Sequence, residues 1–330
     1  MPPLKVGVIG VGQLGQHHAR IYSALGPEVE FIGIADTDEA RGRDIARKTG
    51  CRAFTDYHDL LEAGVQAVSI AVPTRHHHIV GRACLQRGVH TLLEKPLAAT
   101  LEQADDLLAL ARDHRVVLQV GHVERFNAAI RALLALKPVP LFIEVHRLGP
   151  FSPRTADVGV VLDLMIHDLD IVLFLKGAPP VRVEAVGTPV FSAHEDIATA
   201  RLEFADGCLA NVTASRVTRE KMRKIRIYTR DAYITVDYLK QDVAVMRLRD
   251  AGPGADWLEG DDWMDRLEVE RPPLIREEPL KLEIQSFVRA AATGGEPEVS
   301  GAKAREAMAI AKRITDDLGA RLVRYRGTAS

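Results

Sequence analysis

Residues 10–15 read Gly-Val-Gly-Gln-Leu-Gly, directly after the apolar run LKVGVI and directly before the helical stretch QLGQHHARIYSAL. A G-x-G-x-x-G pattern between a strand and a helix constrains the fold more than any other feature of the chain, because each glycine answers a different steric demand. Gly10 permits a tight turn, Gly12 lets backbone approach a pyrophosphate, and Gly15 lets the helix pack close to the sheet. Phosphate charge then falls at the helix N-terminus, beside Gln13 and Leu14. Asp36, at the end of the next apolar run FIGIAD, supplies a carboxylate for the adenosine ribose hydroxyls. The same carboxylate repels a 2′-phosphate, and Thr37 and Asp38 follow it rather than an arginine, so NAD is favoured over NADP, with Arg41 and Arg43 the residues that weigh the other way.

Around this motif, short apolar runs (LKVGVI, VEFIGIA, AVSIAV, VHTLLE, VVLQV) alternate with amphipathic segments such as LEQADDLLALARDH. That rhythm predicts βαβ units and a parallel sheet buried on both faces. Beyond residue 121 the texture changes: one helix, VVLDLMIHDLDIVLFL, precedes VRVEAVGTPV, IATARLEF, CLANVTAS, KIRIYT, YITVDY and VAVMRL, a succession of strands without intervening helices. Two closing helices follow, the second with Ser300 as its N-cap. The expected fold is α/β: an N-terminal Rossmann, doubly wound parallel sheet over residues 1–121, then a C-terminal α+β domain with a large mixed or antiparallel sheet over 122–330, whose final helices can pack back on the first domain. DAGPGADWLEGDDWMD (250–265), with Trp257 and Trp263, reads as a surface loop folded over its own aromatics.

Forty-three basic against 45 acidic residues leave a formal charge of −2, which offers no field for a phosphate backbone, so nucleic acid is not an expected partner. Cys51, Cys84 and Cys208 are odd in number, far apart and without a CxxC, which suits a reducing compartment. No stretch approaches the apolar length of a membrane span and MPPLKVGVIG enters a strand without a leader, so a cytoplasmic chain is expected.

Ligands of a doubly wound sheet sit beyond the carboxyl ends of its strands, and two segments lie at such ends: AVPT, with Pro73 and Thr74, and LLEKPL, with Glu94, Lys95 and Pro96. By itself Lys95 reads as a solvated strand terminus, and only its neighbours argue otherwise. In LDLMIHDLD, Asp163 and His167 stand four apart and so share a helix face, with Asp170 a turn further on. A carboxylate beside an imidazole holds its tautomer and favours its protonated form, which suits a general base; a polar stripe on an amphipathic helix is the plain alternative. A metal reading of His167, Asp168 and Asp170 needs further histidines on other helices, whereas His76, His77 and His78 lie in the nucleotide domain, so no metal is expected.

GVGQLG, AVPTRHHH, EKP and the later D-L-M-I-H, in that order, resemble the glucose-fructose oxidoreductase, inositol dehydrogenase and MocA family of NAD(P)-dependent sugar oxidoreductases. The resemblance implies that Lys95 lies near the hydride-transfer centre and precedes a cis proline, that Asp163 and His167 complete the catalytic set, and that His77 stands at the cofactor edge. It places VGHVERFN at the domain crossover, with His122 beside the cofactor and Arg125 and Asn127 beside the substrate, although Arg125 reads equally as a partner for a cofactor phosphate or for a structural carboxylate, and the segment also reads as a plain linker. One departure is Met165, where the family usually has glycine between the aspartate and the histidine. The function implied is hydride transfer between nicotinamide and a secondary hydroxyl, with Lys95 orienting the oxygen and either Lys95 or His167 taking the proton. The crossover and the catalytic helix look most like nucleotide-sugar members; an inositol or free-monosaccharide dehydrogenase is the alternative, and a non-catalytic NAD-binding sensor the alternative from another class. An open apolar face on the second sheet would be buried by a partner subunit, giving a homodimer or homotetramer.

Overall fold

The computed structural model describes residues 2–153, 156–249 and 266–327, with side chains to residue 320. The expected loop at 250–265, with Trp257 and Trp263, lies outside the described residues. The chain divides into two compact units, Met1–Phe126 with Glu277–Met308, and Asn127–Arg276 with Ala309–Ser330.

In the first unit six strands, β1 (Leu4–Ile9), β2 (Val29–Ala35), β3 (Arg52–Phe54), β4 (Ala67–Ile70), β5 (His90–Glu94) and β6 (Leu118–Gly121), form one sheet in the order β3-β2-β1-β4-β5-β6. Every pairing is parallel. This is the doubly wound order whose strand sequence reverses between β1 and β4, where dinucleotides bind. The central strands are apolar because both faces are covered: in β1 Lys5 alone is exposed. One face packs on α1 (Gly15–Ala24), α2 (Glu39–Thr49) and α8 (Pro279–Thr293) through Tyr22, Ile45 and Phe287. The other packs on α3 (Tyr57–Glu62), α4 (His77–Gln86), α5 (Leu101–Asp113) and the start of α9 (Gly301–Gly327) through Leu60, Leu85, Leu107 and Met308. β3 escapes the sequence reading because three residues are too few to show a period.

The second unit starts with α6 (Ala128–Leu136) and holds an eight-stranded sheet. Its strands are β7 (Phe142–Leu148), β8 (Arg182–Thr188), β9 (Ile197–Glu203), β10 (Leu209–Ser215), β11 (Met222–Tyr228), β12 (Tyr233–Asp237), β13 (Asp242–Leu248) and β14 (Leu267–Glu270), in the order β14-β13-β12-β11-β7-β10-β9-β8. β7 pairs parallel with β10 while the other neighbours run antiparallel, so the sheet is mixed. Sequence pattern does not reveal β7, since Glu144, His146 and Arg147 dilute its alternation; in place, Ile143, Val145 and Arg147 are buried and their neighbours half-buried. The long helix expected over 161–175 is a π-helical turn, Val161–Met165, running into α7 (Ile166–Lys176).

Candidate active site

The glycine turn follows its steric logic. Gly10 has φ +82° and donates its N–H to the Ala35 carbonyl at 2.8 Å, while a Cβ on Gly15 would overlap the Gly10 carbonyl oxygen. At Gly12 a Cβ would meet nothing within 4 Å, so the bare backbone faces open space. Leu14, 41% exposed, stands at the N-cap of α1 without a capping side chain, and the first turn carries no acidic residue. Backbone N–H groups and dipole are thus left for an anion. Gln13 contributes its carbonyl to Gln16 Nε2 at 3.2 Å. At the end of β2, buried Asp36 accepts from Val11 N at 2.8 Å and Asp38 N at 2.9 Å. The open glycine, the uncapped helix and the strand-end carboxylate fit the pyrophosphate and ribose of a dinucleotide.

Glu94 closes β5 and Lys95 follows, half-buried and joined to Pro96 by a cis peptide. Glu94 is buried with its Oε1 3.1 Å from Nε2 of fully buried His18 on α1. Gly121 is its strand partner on β6, and a Cβ there would lie 2.8 Å from the Glu94 carboxyl atoms, so that glycine makes room for the acid. Behind Glu94 lies Glu283 of α8, fully buried, with neither carboxyl oxygen hydrogen-bonded. Burial, and then the nearby charge of Glu94, push the Glu283 carboxyl well above the usual carboxylate range, which favours its neutral form.

His77 ties two strand ends together: its Nδ1 is 2.8 Å from the Pro96 carbonyl and its Nε2 2.9 Å from that of Val72. Burial lowers its pKa, against the pull of the two carbonyls. Pro73 and Thr74 form the turn between, with His76 N donating to Pro73 O at 2.8 Å. His122 and Arg125 are buried in the turn after β6, where Arg125 N donates to His122 O at 3.0 Å. Asn127, which opens the second unit, caps α6: its Oδ1 accepts from Ala129 N at 3.0 Å and its Nδ2 donates to Tyr238 O at 3.2 Å. Its amide therefore has a helix-capping duty that a reading of VGHVERFN as a site segment misses.

In the second unit Asp163 lies in the π-helical turn and His167 in the first turn of α7, both half-buried, while Met165 and Asp170 are buried. Asp168 is taken by Arg147 in a buried two-pronged pair at 2.6 and 2.9 Å. Among the described residues, no three His, Cys, Asp or Glu side chains are grouped to hold a metal.

The approach to this turn is held by residues the sequence does not single out. Glu195 accepts from Val160 N through its carbonyl at 3.0 Å and from Val161 N through its carboxylate at 3.3 Å. A Cβ on Gly159 would collide with that carboxylate, which accounts for the glycine before the helix. Next to it Asp196 accepts from Val190, Phe191 and Ser192 N–H at 2.7, 2.6 and 2.9 Å and from Arg216 Nε at 2.6 Å. Arg216 in turn donates to Val158 O at 2.7 Å. Burial alone would raise the Asp196 pKa, but these donors hold it far below the usual carboxylate range. The basic run 215–226, which in sequence reads as a solvated strand and loop or as a contact for a diphosphate, thus contains a buried clamp; only its proximity to GVVLD in space, invisible in sequence, gives it away.

Comparison with known proteins agrees with this geometry. Residues 4–122 match the GFO/IDH/MocA oxidoreductase family, NAD-binding Rossmann fold, and residues 143–235 match the GFO/IDH/MocA C-terminal domain. Over 314 residues the chain is 38% identical to UDP-N-acetylglucosamine 3-dehydrogenase of Acidithiobacillus ferrooxidans, covering 94% of this chain and 96% of that one. A solved structure of UDP-N-acetylglucosamine 3-dehydrogenase from the same organism superposes with TM-score 0.88 at 36% identity, over 97% of this chain and 99% of that one. Myo-inositol 2-dehydrogenase of Thermotoga maritima is 25% identical over 325 residues, covering 93% and 94%. The chain belongs to the GFO/IDH/MocA family of NAD-binding oxidoreductases. It is an NAD-dependent dehydrogenase of the kind that acts on sugar hydroxyls.

Proposed function

We propose that the chain oxidises the 3-hydroxyl of UDP-N-acetylglucosamine. The observation that carries this reading is the near whole-length similarity, 38% identity over 94% of the chain, to an enzyme of that activity. When bound, the nicotinamide supplies the acceptor for the hydride. Lys95 orients the alcohol oxygen by donating a hydrogen bond to it. His167 accepts the hydroxyl proton, because an imidazole as a class titrates near neutral pH, and Asp163 four residues earlier holds its tautomer. Gly10, Gly12, Gln13, Leu14, Gly15 and Asp36 hold the dinucleotide, with Pro73, Thr74, His77, Glu94 and His122 shaping its nicotinamide end and Arg125 and Asn127 facing the sugar nucleotide. Glu94 is steadied for that work by His18.

The inositol dehydrogenase similarity, 25% over 93% of the chain, supports a second reading in which the alcohol is a cyclitol. A thermal-shift screen with NAD present separates the two: UDP-sugars are expected to raise Tm where inositols do not, and the reverse pattern would sink the nucleotide-sugar assignment. Oxidation is read as NADH formation; His167→Ala and Lys95→Ala that bind NADH normally yet turn over like wild type would remove both residues from the mechanism.

A homodimer or homotetramer is part of the proposal, supported by the half-exposed face of the eight-stranded sheet, which carries Phe142, Tyr228 and Tyr233 in contact. So is a cytoplasmic location, supported by three free cysteines. No described helix is long and apolar enough to cross a membrane.

A further inference from the structure

From Met165 to Leu173 every residue is buried except His167, which is half-buried, so α7 carries apolar side chains on all sides. A helix of that kind has no apolar stripe to choose its rotation about its own axis, and burial of apolar surface is itself non-directional. The start of the helix does not supply the choice either: the turn before it is π-helical, with i→i+5 in place of i→i+4 bonds, and Met165 at the N-cap makes no side-chain cap. Direction enters through Asp168. Fully buried, it accepts from Arg147 Nε at 2.6 Å and from Arg147 Nη2 at 2.9 Å, and two such bonds between planar groups fix orientation as well as distance. Arg147 is firmly anchored in its turn, because β7 is paired on both sides, with β10 and β11, and the guanidinium lies 5.3 Å from the centroid of the Tyr238 ring. Asn127 Nδ2 holds the carbonyl of that tyrosine at 3.2 Å.

We propose that Arg147 is a positioning residue for proton transfer: through Asp168 it sets the rotation of α7 about its axis and thereby the direction of the His167 imidazole. Adjacent residues of an α-helix are about 100° apart around the axis, so an inward Asp168 turns His167 away from Arg147 and toward the less buried side. The inference rests on His167 as the proton acceptor in sugar oxidation and goes beyond it, because it assigns the buried pair to aim and not to stability. The attraction within a buried ion pair is largely offset by desolvation of both groups, and well-packed apolar residues in its place are often neutral or stabilising. Apolar residues cannot replace its direction.

The test compares wild type with Arg147→Met/Asp168→Leu, which removes both polar groups together, as full chains. Tm and NADH affinity are expected to stay near wild type, while kcat for UDP-N-acetylglucosamine falls by about tenfold or more, as small misplacements of a reacting group imply. In NMR the imidazole resonance of His167, assigned through His167→Ala, is expected to split or broaden over more than one environment. Arg147→Lys, which keeps a donor to Asp168 but gives up the two-pronged geometry, serves if the double variant does not fold, and is expected to lose kcat in smaller measure with NADH affinity unaltered. The proposal is overturned if the folded variant keeps the wild-type kcat, or if its His167 gives a single resonance that titrates as in wild type. Failure of wild type to oxidise UDP-N-acetylglucosamine would overturn the substrate reading instead, and the His167 resonance would still decide the role of Arg147.

Discussion

The two units each present a helical N-terminus next to a glycine, and they treat it in opposite ways. At α1 no side chain caps the helix and no acid occupies its first turn, and a Cβ on Gly12 would meet open space. At the turn Val161–Met165, Glu195 supplies both a carbonyl and a carboxylate to the first N–H groups, and that carboxylate occupies the space beside Gly159. A helix N-terminus attracts negative charge in either case. One is kept vacant of the chain's own acids, as phosphate binding requires; the other is filled from within by Glu195, at the start of the turn that carries Asp163. Glycine at a helix start therefore has two meanings, space for a ligand or space for a side chain, and the neighbours decide which.

The largest effect expected from breaking this contrast lies at the filled terminus. Arg216→Met leaves Asp196 buried beside three backbone donors without its cation and frees the Val158 carbonyl, and should cost about 3–5 kcal/mol in urea unfolding. A cost below 1 kcal/mol on the same measure would show that the clamp contributes no more than a surface pair. Next comes the vacant terminus: Gly12→Ala should leave Tm unchanged while NADH affinity falls by about tenfold or more. Equal loss of Tm would mean that the glycine is needed for folding and not for a ligand. Smaller is Glu195→Ala, which removes a helix cap and should lower stability by about 1 kcal/mol; kcat falls with NADH affinity unaltered, and Glu195→Gln restores part of it.

The smallest effect concerns a second contrast between the units, the buried carboxyls Asp196 and Glu283. Asp196 is saturated with donors, whereas neither carboxyl oxygen of Glu283 has one and burial raises its pKa. From about pH 4.3 upward the unfolded chain releases the Glu283 proton that the native chain retains, so the stability it contributes declines as pH rises toward its elevated native value. Glu283→Gln should remove that decline and gain on wild type in Tm between about pH 5 and pH 8. Parallel Tm curves across this range would show that Glu283 does not hold its proton.

Much of this protein is legible in its sequence wherever chemistry and period coincide locally. The glycine spacing, the apolar strands and the acid at the end of β2 are all matters of neighbours along the chain, because a strand buried on both faces must be apolar and a tight turn must be glycine. The motif order from GVGQLG through EKP to DLMIH likewise pointed to the family that the comparisons establish. What the sequence left open is what each polar group meets. Glu94 as read from LLEKPL has no visible partner, and its histidine lies 76 residues earlier on α1. β7 does not show as a strand in the sequence, and its Arg147 finds Asp168 only in the fold; the basic run 215–226 likewise conceals Arg216, because Asp196 is 20 residues away in sequence and 2.6 Å away in space. Local pattern determines which elements form, since backbone hydrogen bonding and alternation of burial act over a few residues. Tertiary structure alone decides which buried charges are neutralised, and by what, because that depends on groups brought together from distant parts of the chain.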